Sequence, residues 1–255
     1  MSDAEPDAEK PDAEPEVGTA LTILHRDDRL LAVAKPSGML VHRGWAADEA
    51  VLVDLLRAQL DGADVFPLHR LDRGTSGVLC LALDKEAAAF VGQQFEAHAP
   101  PLTKTYLALV RGLAPEAVDV DHGLRPHDSK TGKRRKAADA LPRIPAQTRF
   151  ERIEARQIGE RSYSLVKALP RTGRTHQIRR HLKHLAHPII GDVRYGKGNQ
   201  NRYFRAHFDF HRMALHAAAL TLEHPDGGAL ELRAPVPADL REPLRAMGFE
   251  TLRTW

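Results

Sequence analysis

"LHAAALTLEHPDGGALELRAP", residues 215–235, sets two apolar runs on either side of Pro225-Asp226-Gly227-Gly228. Gly-rich turn residues between two strand-like runs are a hairpin signal, because two adjacent strands joined so tightly can only run antiparallel. The same pattern opens the chain: "LTIL" (21–24) and "RLLAVA" (29–34) flank the polar turn "HRDD". "VLCLAL" (78–83) is apolar throughout and predicts a strand buried on both faces, while "KTYLALVRG", "QTRFERI" and "SYSLVKAL" supply further strands. Helices are predicted between them. Asp48 is placed to cap "EAVLVDLLRAQL", with Leu52, Leu55, Leu56 and Leu60 at helical spacing. Asp84 is placed to cap "KEAAAFVGQQFEAH", whose inner face and edge are marked by Phe90, Val91, Gln94 and Phe95. "RTHQIRRHLKHL" (174–185) predicts a helix with a strongly positive face, and "PADLREPLRAM" a closing helix. The stretch 112–146 is turn-rich, with the basic "SKTGKRRK" as an exposed loop or hairpin tip. Hairpin-linked strands with interspersed helices predict an α+β fold with a mixed, mainly antiparallel central sheet and flanking helices.

The chain has 255 residues, 42% of them hydrophobic, enough for a proper core. Residues 1–16, "MSDAEPDAEKPDAEPE", hold seven acids and one lysine with almost no apolar surface. That composition cannot offset the entropy of ordering, so residues 1–17 are expected to be a disordered acidic tail and 18–255 one folded domain. The tail's charge of −6 subtracted from the formal +3 of the whole chain leaves +9 on the remainder. From Arg161 to Gly191 there are seven Lys or Arg and no acid, and "KTGKRRK" (130–136) adds five cations. Such clustering is the electrostatic footprint of a protein that binds a polyanion, RNA or DNA. The single cysteine, Cys80, excludes an internal disulfide, and its apolar neighbours predict a buried thiol. No basic-then-apolar leader and no apolar run near the roughly 20 residues of a membrane helix are found, so a cytoplasmic protein with no membrane partner is expected.

Several catalytic signatures come close and fail. "GDVRYGKG" (191–198) has the spacing of a phosphate-binding loop, but Gly198 stands where a Mg²⁺-binding hydroxyl is needed. "HRLD" (69–72) approaches a kinase catalytic loop without the Asn, the Gly-rich loop or the Asp-Phe-Gly that must accompany it. "GTSGV" (74–78) lacks the glycine spacing of a nucleophile elbow. His181, His184 and His187 recur every three residues, which on a helix rotates each ring away from the last, and no nearby Cys or carboxylate completes a metal site, so no metal is expected. What remains is Asp72, hemmed by Arg70 and Arg73 and by cations of the 171–180 segment, a setting that favours the carboxylate form. It fits a nucleophile or base, and equally a structural Arg–Asp bridge.

"HRLDRGTSGVL" resembles the central motif of the RluA-type pseudouridine synthases, and other motifs stand in order: "KPSGMLVHR" (35–43), "KTYLALVRG" (104–112), "TGRTHQIRRHL" (172–182), "HPIIGDVRYG" (187–196) and "RMALHAAAL" (212–220). The resemblance covers nearly everything beyond residue 20 and implies the pseudouridine synthase fold with a catalytic cleft. It implies Asp72 as the catalytic aspartate, Tyr106 as the ring that stacks on the target base and assists proton removal, and Arg179 as the partner holding Asp72 ionised. It further implies substrate-binding roles for Arg70, which would help fill the stack left by the flipped nucleotide, and for Leu71, Leu215, Lys35, His42, Arg174, His176 and Gln177. Within the family the chain is most similar to the short TruC branch, the tRNA pseudouridine synthases C. That likeness implies a uridine at tRNA position 65 as target; RNA is the expected partner, with no cofactor, and a monomer is expected. A ribosomal RNA target of the same family, and a non-catalytic RNA-binding protein, are the competing readings.

Overall fold

The computed structural model describes residues 20–42, 51–98, 100–125 and 141–251. The acidic tail, Asp48 and the basic 130–136 segment lie outside the described residues. Ten strands form one sheet: β1 (Ile23–Arg26), β2 (Leu30–Lys35), β3 (Phe66–Pro67), β4 (Ser76–Ala82), β5 (Thr103–Arg111), β6 (Ala117–Asp121), β7 (Gln147–Ile158), β8 (Arg161–Pro170), β9 (Leu215–Glu223) and β10 (Ala229–Arg233). The main path runs β1-β2-β4-β9-β5-β8-β7-β6, with β10 beside β9 and β3 beside β4. Every pairing is antiparallel except β4 with β9, where Ser76 opposes His216 and Gly77 opposes Ala217. The α+β, mainly antiparallel expectation is met, and β9–β10 is the hairpin read from the turn at 225–228.

The helices are α1 (Leu52–Gln59), α2 (Lys85–Ala97), α3 (Gln177–His184), α4 (Gly198–Phe208) and α5 (Ala238–Ala246). Strands β2 and β4 show why their sequences are apolar without alternation. Leu31, Val33, Leu79 and Leu81 face α1, whereas Leu30, Ala32, Val78 and Cys80 face α2 and β10. Both sides of this part of the sheet are covered, so both side-chain sets must be apolar. Cys80 is wholly buried, and that burial, with the charge of Asp27, pushes its thiol up to about 12. The largest core lies over β5, β7, β8 and β9, where Tyr163, Phe204, Phe210 and Phe249 pack with Leu240 and Leu244 of α5.

The structure corrects four local expectations. Helix α1 starts at Leu52 with Val51 as its N-cap and no side-chain cap bond, because Leu52 and Val53 first donate backward to the carbonyls of Leu40 and Val41. Asp84 does cap α2, accepting from the Ala87 amide at 2.8 Å, but Phe90 is exposed and the buried face is Ala87 and Val91. Strand β6 and helix α4 lie in stretches assigned no element from sequence. The basic segment 174–185 becomes helical only at Gln177, and its face is not simply solvated: Gln177, Ile178, Arg179, His181 and Leu182 are buried.

Candidate active site

The 72–75 loop precedes β4 and is pinned to the loop after β2. The Gly38 amide donates to the Arg73 carbonyl (2.9 Å), Arg73 Nε returns a bond to the Gly38 carbonyl (2.9 Å), and Ser37 donates to the Gly74 carbonyl (2.9 Å). Beneath them Lys35 Nζ donates to the carbonyls of Pro36, Met39 and Arg73 at 2.7, 2.7 and 3.1 Å. Burial, reinforced by the nearby charge of Arg212, pulls Lys35 down to about 7. Three carbonyls match the three donors of an ammonium, so Lys35 is a positioning residue for the Asp72 loop. It does not line the cleft, and neither does His42, which is exposed.

Asp72 stands in a cleft of about 300 Å³. Its Oδ2 accepts from Arg179 Nη1 at 2.9 Å and its Oδ1 lies 3.8 Å from His176 Nε2. Its side chain keeps 21% of its surface exposed, so it is open to a ligand. Arg179 is fixed from behind: Nε and Nη2 donate to the two oxygens of Asp192 at 2.7 and 2.9 Å. Asp192 is fully buried and also accepts from the amides of Arg194 and Tyr195. Burial works against the Arg179 charge, but the two carboxylates, Asp192 above all, outweigh it and raise the guanidinium further above its usual range. Tyr195 closes the arrangement, its ring 5.1 Å from the Arg179 guanidinium carbon and its hydroxyl 3.1 Å from His176 Nδ1. A planar guanidinium can hold one carboxylate bidentately and reach a second with its remaining nitrogen, which an ammonium cannot do.

Tyr106 comes from β5, where the pairing with β9 shifts register between Thr105 and Tyr106. Irregularities of this kind re-aim a side chain, and here the ring lines the cleft with Asp72. Burial, and after it the charge of Asp72, pushes the phenol well above its ordinary range, so Tyr106 is a neutral phenol at working pH. Leu71 and Leu215 form an apolar wall, and Arg70 and Arg174 stand exposed on the rim. Gln177 also lines the cleft, but its amide is fully engaged: Oε1 accepts from Thr172 and the Arg174 amide, Nε2 donates to the Gln147 carbonyl and Thr148. It builds the 172–174 loop and has no bond left for a substrate. The three histidines at triplet spacing diverge: His181 bonds Thr148 and the His122 carbonyl, His184 stacks on His122 at 3.9 Å, and His187 bonds the Arg111 carbonyl.

Sequence reasoning missed Asp192 and Tyr195, the residues that immobilise Arg179. The available signal was the acid that ends the long cationic run, one residue after Gly191. Residues 29–184 match the family model described as RNA pseudouridylate synthase. The chain belongs to this family. It is 42% identical over 219 residues to the tRNA pseudouridine synthase C of Pectobacterium carotovorum, a match covering 82% of this chain and 57% of that protein. It is equally 42% identical over 212 residues to the enzyme of that name from Haemophilus ducreyi, covering 80% of this chain and 86% of that one. Among solved structures it resembles human RNA pseudouridylate synthase domain containing 4, at 27% identity and a TM-score of 0.71, covering 90% of this chain and 94% of the other. A pseudouridine synthase is an isomerase, and the cleft around Asp72 lies within the matched region apart from Leu215.

Proposed function

We propose that this pseudouridine synthase isomerises a uridine of tRNA, at tRNA position 65, with Asp72 as the reacting carboxylate, and that it works as a cytoplasmic monomer. The observation that carries this is the Asp72–Arg179–Asp192 chain, which holds one accessible carboxylate in a cleft shared with Tyr106. The ribose–N1 bond breaks, the uracil turns, a ribose–C5 bond forms, and the proton of C5 leaves as N1 gains one. Atoms and electrons balance without a cofactor.

The target must first leave the stack, at a cost of a few kcal/mol. Stacking on Tyr106 returns about 1–3 kcal/mol, and phosphate contacts to the basic rim add to it. Asp72 then attacks sugar or base, or takes a sugar proton to give a glycal. On the sugar-attack and glycal routes its negative charge is consumed first and restored as the ribose–C5 bond forms, so a carboxylate again shares the cleft with Tyr106 when the C5 proton leaves. Leu71 and Leu215 limit water that would otherwise compete for the detached uracil.

Pseudouridine mapping of RNA from cells lacking this gene tests the assignment. The expected result is one missing site at position 65 of tRNA, restored by the wild-type gene. A missing site in ribosomal RNA instead would replace the substrate, and no missing site would leave only an RNA-binding protein.

A further inference from the structure

Two residues before Tyr106, on the same face of β5, Lys104 lines the same cleft. No carboxylate among the described residues pairs with it, and burial alone pulls its ammonium below the usual range. Its Nζ lies 5.9 Å from the centre of the Phe95 ring, which stacks on His69 at 5.0 Å. Across from it stands His98, the left-handed residue that ends α2. The His98 Nδ1–H donates to the Glu96 carbonyl at 2.8 Å, which leaves Nε2 as the ring's unused polar atom. Gly173 separates the two basic groups: a Cβ there would sit 3.4 Å from His98 Nε2 and 3.9 Å from Lys104 Nζ, so the missing side chain keeps the gap open.

A cation drawn partly out of water without a counter-ion is unfavourable unless an anion joins it. The anion of an RNA strand is its phosphodiester. Lys104 stands about 7 Å along the strand from Tyr106, so it meets the backbone beside the extruded nucleotide and not the uracil. We propose that Lys104, facing His98 across the gap at Gly173, forms a subsite for one phosphodiester of the RNA strand next to the flipped nucleotide. The proposal rests on the reading of this cleft as an RNA site.

The test is binding of a fluorescein-labelled tRNA stem-loop, read by anisotropy in the Asp72→Asn background so that turnover does not enter. A series of stem-loops carries one neutral methylphosphonate linkage each. With Lys104 present, one linkage is expected to weaken binding about tenfold. Lys104→Met is expected to weaken the all-phosphate RNA about tenfold, to become indifferent to that linkage while keeping its response to the others, and to lower the slope of log affinity against log salt by about one. Lys104→Arg should restore most of the affinity. Lys104→Gln is measured in parallel, so that a folding failure of one variant leaves the other to decide. Unchanged affinity in the variants, or the same linkage sensitivity as the parent, overturns the subsite. If binding behaves as expected while the wild type makes no pseudouridine, the proposed activity fails and the subsite stands.

Discussion

Arg179 engages two carboxylates with three nitrogens, and the division of labour between them decides what each residue does. Asp192, fully buried and bonded by two backbone amides as well, is the fixed end; Asp72, partly exposed, is the end open to a ligand. Arg179→Lys keeps the charge but can satisfy one carboxylate at a time, so kcat is expected to fall about a hundredfold with KM little changed, since the loss is one of positioning. Asp192→Asn removes the buried counter-charge and is expected to cost about 3 kcal/mol of stability in urea titrations. Equal activity and stability in both variants would remove Arg179 from the site. Asp72 and Arg179 are legible in the sequence because the motifs around them are long and ordered. Asp192 is not, because its role is visible only when a loop thirteen residues on returns to α3. The surroundings of Lys35 are not legible for a related reason: a lysine in a motif beside the site does not reveal whether its ammonium faces ligand or three carbonyls.

At the level of elements, the site depends on how β4 begins. Gly77 has φ +122°, and a Cβ on it would overlap the Ala217 carbonyl where β4 and β9 run parallel. Gly77→Ala is therefore expected to destabilise the fold by about 3 kcal/mol and to misplace the 72–75 loop. Loss of activity without a drop in melting temperature would contradict this account of the junction. The strands are readable because a period-two or fully apolar run, bounded by turns and too short for a helix, fits little but extended backbone. Phe90 is misplaced because two adjacent apolar residues, Phe90 and Val91, leave the helical face ambiguous until tertiary contacts choose. Strand β6, "AVDVD", has too little apolar content to stand out, and it forms because β7 offers it a paired edge.

Across the whole molecule, burial holds several titratable groups in their neutral forms, and that makes stability depend on pH. His69 is pulled down to about 3, by burial and then by the charge of Lys104, and His216 to about 4, chiefly by burial. An unfolded histidine titrates near 6.5. Between about pH 6.5 and 4 the unfolded chain thus binds protons that the fold refuses, so stability falls as pH drops through this window. With about two protons taken up on unfolding near pH 5, the unfolding free energy is expected to change by about 2.7 kcal/mol per pH unit. Urea titrations that give a flat profile between pH 6 and 4.5 would contradict the neutral assignment of both rings. No helix among the described residues is long and apolar enough to cross a membrane.

The basic surface, the cleft and the carboxylate converge on one reaction, and release of tritium from tRNA transcribed with 5-tritiated uridine measures it most directly. The expected result is one equivalent released per tRNA by the wild type and none by Asp72→Asn, whose affinity for the same tRNA stays within about twofold because amide and carboxylate are nearly isosteric. Release by Asp72→Asn at the wild-type rate would contradict the central role of Asp72.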